Sequence, residues 1–311
     1  MLLGNGFLPM FSAGNAFRLT GATWALDGSG RAYNTPTLGA ELLTNGTMEA
    51  DANWSNSASP ILNERSSEQA RTGTYSRKIT GNASAEAGAT QSIVSPAGTW
   101  VSASFWYRRI NGYGYVSLGG MPVVVLNTTN TWVEAFRTFR QTSTNPSVRL
   151  LCEAALGGYW DDATVKAILL PTTLATITGS APTQTAAAKI HTLTTGTQAG
   201  VVSLLDSASN PQNFLLAYHD GTNVRLDKCV AGVYTNLITT AVAFTGGAQI
   251  EIRRPSGNTF QLWYNGIQRG VDQTVSDASI ISNTIYGLFS TFSGNLFSEF
   301  SLGDVVIPFG F

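Results

Sequence analysis

The chain has 311 residues, a formal net charge of −1, 43% hydrophobic residues and only 12% charged ones. The length suits two domains of about 100–150 residues each, and charge is about half the usual share of roughly 25%, so Ser, Thr, Asn and Gly must carry solubility. With no run of Lys or Arg and no apolar stretch near the ~20 residues of a membrane helix, neither nucleic acid nor a membrane is an expected partner.

Residues 1–35 show no periodicity. They scatter large apolar groups, among them Leu8, Phe11, Phe17 and Trp24, between Gly, Asn and Ser. Such a segment cannot bury itself alone, and reads as an N-terminal docking arm that orders on a partner. A disordered leader is the alternative. The apolar start has no positive charge ahead of it, which favours a structural arm over a secretory signal.

From 36 to 170, strand signals recur between turn residues. In 101–108, Val101, Ala103, Phe105 and Tyr107 fall on one face and Ser102, Ser104, Trp106 and Arg108 on the other. Asp161 and Asp162 stand at the expected start of a last strand, 163–169. Residues 171–187, rich in Thr, Ala, Ser and Pro, read as a linker. Strands then recur from 188 to 311, with a hairpin at Asn265-Gly266, a pair that accepts the positive φ of a tight turn. Cys152 and Cys229 fall in different domains and read as thiols, Cys152 a buried one. The expected fold is all-β: two tandem antiparallel β-sandwich, jelly-roll-type domains behind an irregular arm.

Residues 37–170 resemble a carbohydrate-binding-module jelly roll. The resemblance is carried by Leu42 to Glu49, Trp54, Gly73 to Ile79, Val101 to Tyr107 and Tyr159 to Asp162. Residues 188–311 resemble a concanavalin A-like, laminin-G-like sandwich through Tyr218 to Asn223, Phe260 to Gly266, and Tyr286 to Phe289 with Phe300 to Leu302. Such tandems behind an apolar arm are similar to minor virion proteins of tailed bacteriophages: decorations, fibres and adhesins.

The first resemblance implies a structural calcium ion, Ca2+, held by Glu49 and Asp162, with Asp161 as alternate and carbonyls near Gly46 and Lys78. Calcium takes six to eight oxygens. Alternatively these carboxylates cap turns. For carbohydrate, rings that stack on sugar faces are sought beside polar groups, which nominates Trp106, Arg108, Tyr113, Tyr115 and Trp132. Packing against the other domain or a partner subunit competes with that reading and is the favoured one. Catalysis finds little support. His191 and His219 lack a Ser or Cys partner in a recognisable setting, and Glu251 and Glu299 are not the close pair a glycosidase needs.

The expectation is therefore a non-enzymatic structural protein at the virion surface, docked to capsid or tail proteins through its arm, homo-oligomeric, and able to hold cell-surface polysaccharide. A secreted bacterial carbohydrate-binding accessory protein is the alternative. A glycosidase or lyase on the second sandwich comes third.

Overall fold

The computed structural model describes residues 17–18, 23–121, 124–127, 130–307 and 309–310. Among the described residues the regular secondary structure is almost wholly strand. Helix among the described residues is one turn at Ala278–Ile281 and a 3-10 turn at Leu170–Thr173. Period-two patterning explains this. In Trp100–Arg109, Val101, Ala103, Phe105 and Tyr107 are fully buried while Ser102, Ser104, Trp106 and Arg108 between them are only partly buried.

The first sandwich has two antiparallel sheets. One runs in the order Val124–Leu126, Gly114–Ser117, Ser147–Cys152, Ala87–Ser92, Ser55–Ser57. The other runs Trp132–Arg140, Trp100–Arg109, Gly157–Ile168, Ser76–Thr80, Leu62–Ser66, and Leu38–Glu41 adds onto Gly157–Ile168. Phe105, Tyr107, Trp160, Val116, Val148 and Leu150 interlock between them.

In the second sandwich, Leu174–Thr178, Ile285–Ser290, Ala199–Leu205, Phe214–His219, Asn223–Val230 and Val233–Ala241 form one sheet. Trp24–Leu26, Ala32–Asn34, Leu296–Leu302, Ala186–Thr192, Ala248–Ser256, Thr259–Tyr264 and Ile267–Thr274 run through the other, with Val305–Ile307 beside Leu296–Leu302. Tyr264 pairs with Ile267 across Asn265 and Gly266, whose φ values of 52° and 74° are those the hairpin turn requires.

Every residue of Ala199–Leu205 and Phe214–His219 is buried. Strands buried on both faces need a layer on each side. One layer is the second sandwich's own core. The other comes from the first sandwich, where Trp100 and Ile168 pack on Val202, Leu205, Phe214, Leu216, Tyr218 and Phe289. The Trp100 ring lies 5.0 Å from that of Phe289, and its Nε1 donates to Tyr234 Oη at 3.2 Å. Beside this joint, Thr138 Oγ1 donates to Gln198 Oε1 and Gln198 Nε2 donates back to the Thr138 carbonyl. Arg140 Nη2 meets the buried Asp227 carboxylate at 3.0 Å.

Three expectations change. Trp24 is not a docking residue. It is 4% exposed, its ring lies 5.9 Å from Phe297, and its strand pairs with Ala32–Asn34, which joins the second sandwich through Ala32 opposite Phe297. The sandwich offers an open edge, and a short hairpin fills it although its sequence has no period. Phe17 lies in a two-residue strand parallel to Phe309–Gly310, and Leu8 and Phe11 fall outside the described residues. The stretch read as a linker, 171–187, contains the strand Leu174–Thr178, paired with Ile285–Ser290. Finally, Asp161 and Asp162 sit within the strand Gly157–Ile168, at a bulge where the register shifts between Asp161 and Thr164 and Asp162 adopts φ 44°.

Candidate functional site

The solvent-side face of the first sandwich's six-stranded sheet gathers most of the chemistry. Trp132, Arg108, Tyr159, Lys78 and Glu64 stand directly opposite one another across five adjacent strands. One step along the strands, Glu134 and Asp161 flank Trp106. Strand spacing of about 4.8 Å sets Trp132 and Tyr159 roughly 10 Å apart, with Arg108 at the register position between them. Trp106, Arg108 and Trp132 are each partly exposed and Glu134 is exposed, whereas Tyr159 is buried.

One wall of this face is the connection 67–75. Arg71 lays its guanidinium 3.6 Å from the centre of the Trp106 ring and pairs with Asp162 at 2.6 Å. Glu68 accepts hydrogen bonds from Lys78 Nζ and from Tyr159 Oη. Those bonds hold the Glu68 carboxyl below its ordinary range and the Lys78 ammonium above its own. Further along the Trp132–Arg140 strand, the Phe136 ring lies 4.9 Å from Phe292 of the second sandwich. The outer face is therefore open around Trp132, Arg108 and Glu134 and closed toward Phe136.

The residues nominated for calcium hold that wall in place. Glu49 Oε1 accepts the N–H groups of Thr74 and Tyr75. Gly73 makes room for it, since a Cβ there, at φ +63°, would strike the Glu49 carboxylate. Asp161 Oδ2 accepts the N–H groups of Arg71 and Thr72, and Oδ1 that of Asp162. Burial raises the Asp161 carboxyl to about 6 against those hydrogen bonds. The Gly46 carbonyl accepts the Ala163 N–H, so the two chain segments do lie together. Lys78 serves through its ammonium. Glu49 Oε1 and both Asp161 oxygens thus meet backbone N–H donors, and Asp162 meets the Thr72 hydroxyl and the Arg71 guanidinium, whereas calcium needs such oxygens to converge on a point. Oxygens engaged in this way do not fit the ion. Asp161→Ala leaves three backbone N–H groups without their acceptor, an expected loss of about 2–4 kcal/mol, read as a lower urea midpoint. A chelator is expected to leave the melting temperature of the unaltered chain where it was.

Tyr113 and Tyr115 are not part of this face. Tyr115 belongs to the opposite sheet, between Val125 and Leu151, and Tyr113 lies on the turn before it with Arg109 5.4 Å from its ring. The core separates them from Trp106. Sequence reasoning missed Arg71, Glu68 and Glu134. It could have found Tyr159 by alternation, because Trp160 points inward.

The groups weighed for catalysis are dispersed. Glu251 pairs with Arg253 at 2.7 Å and Glu299 with Lys189 at 2.8 Å, on strands separated by Ala186–Thr192. His219 is fully buried, its Nδ1 accepts the Gly221 N–H, and burial pulls it down to about 4. His191 lies with its Nε2 2.6 Å from Arg31 Nη1. The buried Cys152 thiol is pushed up to about 12.

No family model matches the chain, and no curated protein matches it. Among solved structures, it is similar to the CBM22-1 xylan-binding domain from Paenibacillus barcinonensis Xyn10C, at 16% identity and TM-score 0.35, covering 43% of this chain and 98% of that domain. A family 16 carbohydrate-binding module matches at 17% identity and TM-score 0.33, over 40% of this chain and 98% of the module. The enzymatically active domain of tailspike protein 4 from bacteriophage CBA120 matches at 14% identity and TM-score 0.35, over 41% of this chain and 21% of its own. At such identities and scores, the functional reading rests on the geometry of this chain's own site.

Proposed function

We propose that the chain is a glycan-binding adhesion protein whose contact surface is the Trp132–Arg108–Glu134 face of the first sandwich. One observation carries this reading: indole rings, a guanidinium and a carboxylate share one solvent-side sheet face, with a clamped loop fixing one wall. Rings supply apolar stacking surface, and Arg108 and Glu134 supply hydrogen bonds to hydroxyls. The site is built on strands, so little ordering is needed on binding. Migration through gels containing soluble polysaccharides tests it. A retarding polysaccharide is expected, with Trp132→Ala weakening retention roughly tenfold or more and Tyr115→Ala leaving it unchanged. Retention that ignores Trp132, or follows Tyr115, contradicts the assignment.

We further propose that the chain clads a virion. The support is the sequence resemblance: an apolar leading segment ahead of tandem sandwiches. Repeated weak contacts would then add through multivalency. Removal of residues 1–16 is the appropriate test, because a longer cut would take away Trp24 and Ala32. Loss of incorporation into particles is expected, and normal incorporation contradicts docking through that segment.

A further inference from the structure

A cleft of about 480 Å³ lies between the two sandwiches, away from the sheet face described above. That volume falls within the roughly 300–1,000 Å³ of small-molecule sites, which favour domain interfaces. Its charge is one-sided. Arg137, Arg140 and Arg225 line it against a single carboxylate, Asp220. Asp220 is bound to Arg225 at 2.9 Å, and Arg140 is bound to Asp227. Arg137 has no carboxylate partner among the described residues. Its Nη1 donates to the carbonyl of its own neighbour, Phe136.

Arg137 is also held in position. Its stem lies across Gly196 of the second sandwich, where an added Cβ would come within 2.5 Å of Arg137 Cδ. Gly196 has φ +80°, and its carbonyl accepts the Thr138 N–H, so backbone from each sandwich fixes the approach. Burial works against the Arg137 cation and lowers its pKa from the ordinary value. Arg140 Nη1 is buried and has no hydrogen-bond partner among the described residues. Arg137 is only partly buried, and a partly desolvated guanidinium gains more from a charged acceptor than a fully solvated one does. A carboxylate answers the guanidinium in a planar, two-pronged geometry. The Thr142 and Thr195 side chains line the same space, with hydroxyls for which no hydrogen bond is found among the described residues, and Phe244 adds an apolar surface.

We propose that this cleft is a second binding site, selective for a carboxylate-bearing sugar of the hexuronate class, with Arg137 as the carboxylate anchor. The hydroxyls and Phe244 receive the sugar ring. A neutral hexose fills the space but leaves the guanidinium unanswered. Inorganic phosphate answers the charge but not the ring-sized volume.

Calorimetric titration of the full chain with glucuronate, galacturonate, glucose and inorganic phosphate decides the matter. Saturable hexuronate binding is expected, with glucose and phosphate each roughly tenfold weaker or more. Arg137→Met is expected to lose about tenfold, and Arg137→Lys, which keeps the charge but not the two-pronged donor, to fall between Arg137→Met and the unaltered chain. Trp132→Ala is expected to leave hexuronate binding unchanged, so failure here and failure of the sheet-face reading are separable. No saturable hexuronate binding, equal binding of glucose or phosphate, or full affinity in Arg137→Met overturns the proposal. Should Arg137→Met not fold, the ligand selectivity of the unaltered chain together with the titration of Arg137→Lys is decisive.

Discussion

Trp100→Ala is expected to destabilise the protein by about 3–5 kcal/mol, the range for emptying a buried aromatic site. The indole is 2% exposed and packs on Tyr218 and Phe289 of the other sandwich. Its removal leaves a cavity in the joint and frees the Tyr234 hydroxyl that accepts from it. The unaltered chain is expected to unfold in urea as one transition, because Ala199–Leu205 and Phe214–His219 depend on the first sandwich for their second covering layer. The variant is expected to show two transitions at lower midpoints. Two separated transitions in the unaltered chain, or no change in the variant, would show that the sandwiches stand independently.

Asp227→Ala is the second large effect. Asp227 is fully buried and accepts from Arg140, Tyr218 and Asn236. Its loss strands the Arg140 cation, whose guanidinium carbon sits 4.1 Å from the centre of the Tyr234 ring. Removing one partner of such a pair costs about 3–5 kcal/mol, while replacing both by apolar groups costs far less. Arg140→Met combined with Asp227→Leu is therefore expected to recover most of the lost stability in equilibrium unfolding. A double variant as unstable as the sum of the two single ones would mean that the pair is not coupled.

The strands that were legible in the sequence are those with one wet and one dry face. Val101 to Arg108 alternate cleanly, and Asn265-Gly266 announces its hairpin. Strands covered on both sides show no alternation, so the second covering layer over Ala199–Leu205 could not be read locally. Trp24–Leu26 and Leu174–Thr178 are too short for a period and gain their partners only from distant chain. The candidate site divides in the same way. Trp106, Arg108 and Trp132 follow from the patterning of two neighbouring strands. Arg71 reaches Trp106 from a loop 35 positions earlier, as the residue numbers show, and nothing local marks that contact. Glu49 and Asp161 were legible as carboxylates brought near one another. Their oxygens face the N–H groups of 71–75, and sequence does not show which donors a carboxylate will meet.

The glycan assignment is tested most directly by hydrogen–deuterium exchange of the full chain, with and without a retained polysaccharide fragment. The account predicts added protection in 104–108, 132–134 and 157–160, and in the 67–75 connection that walls the face. Protection confined to 113–117 and 147–152, or none in the first sandwich at saturating ligand, would contradict it.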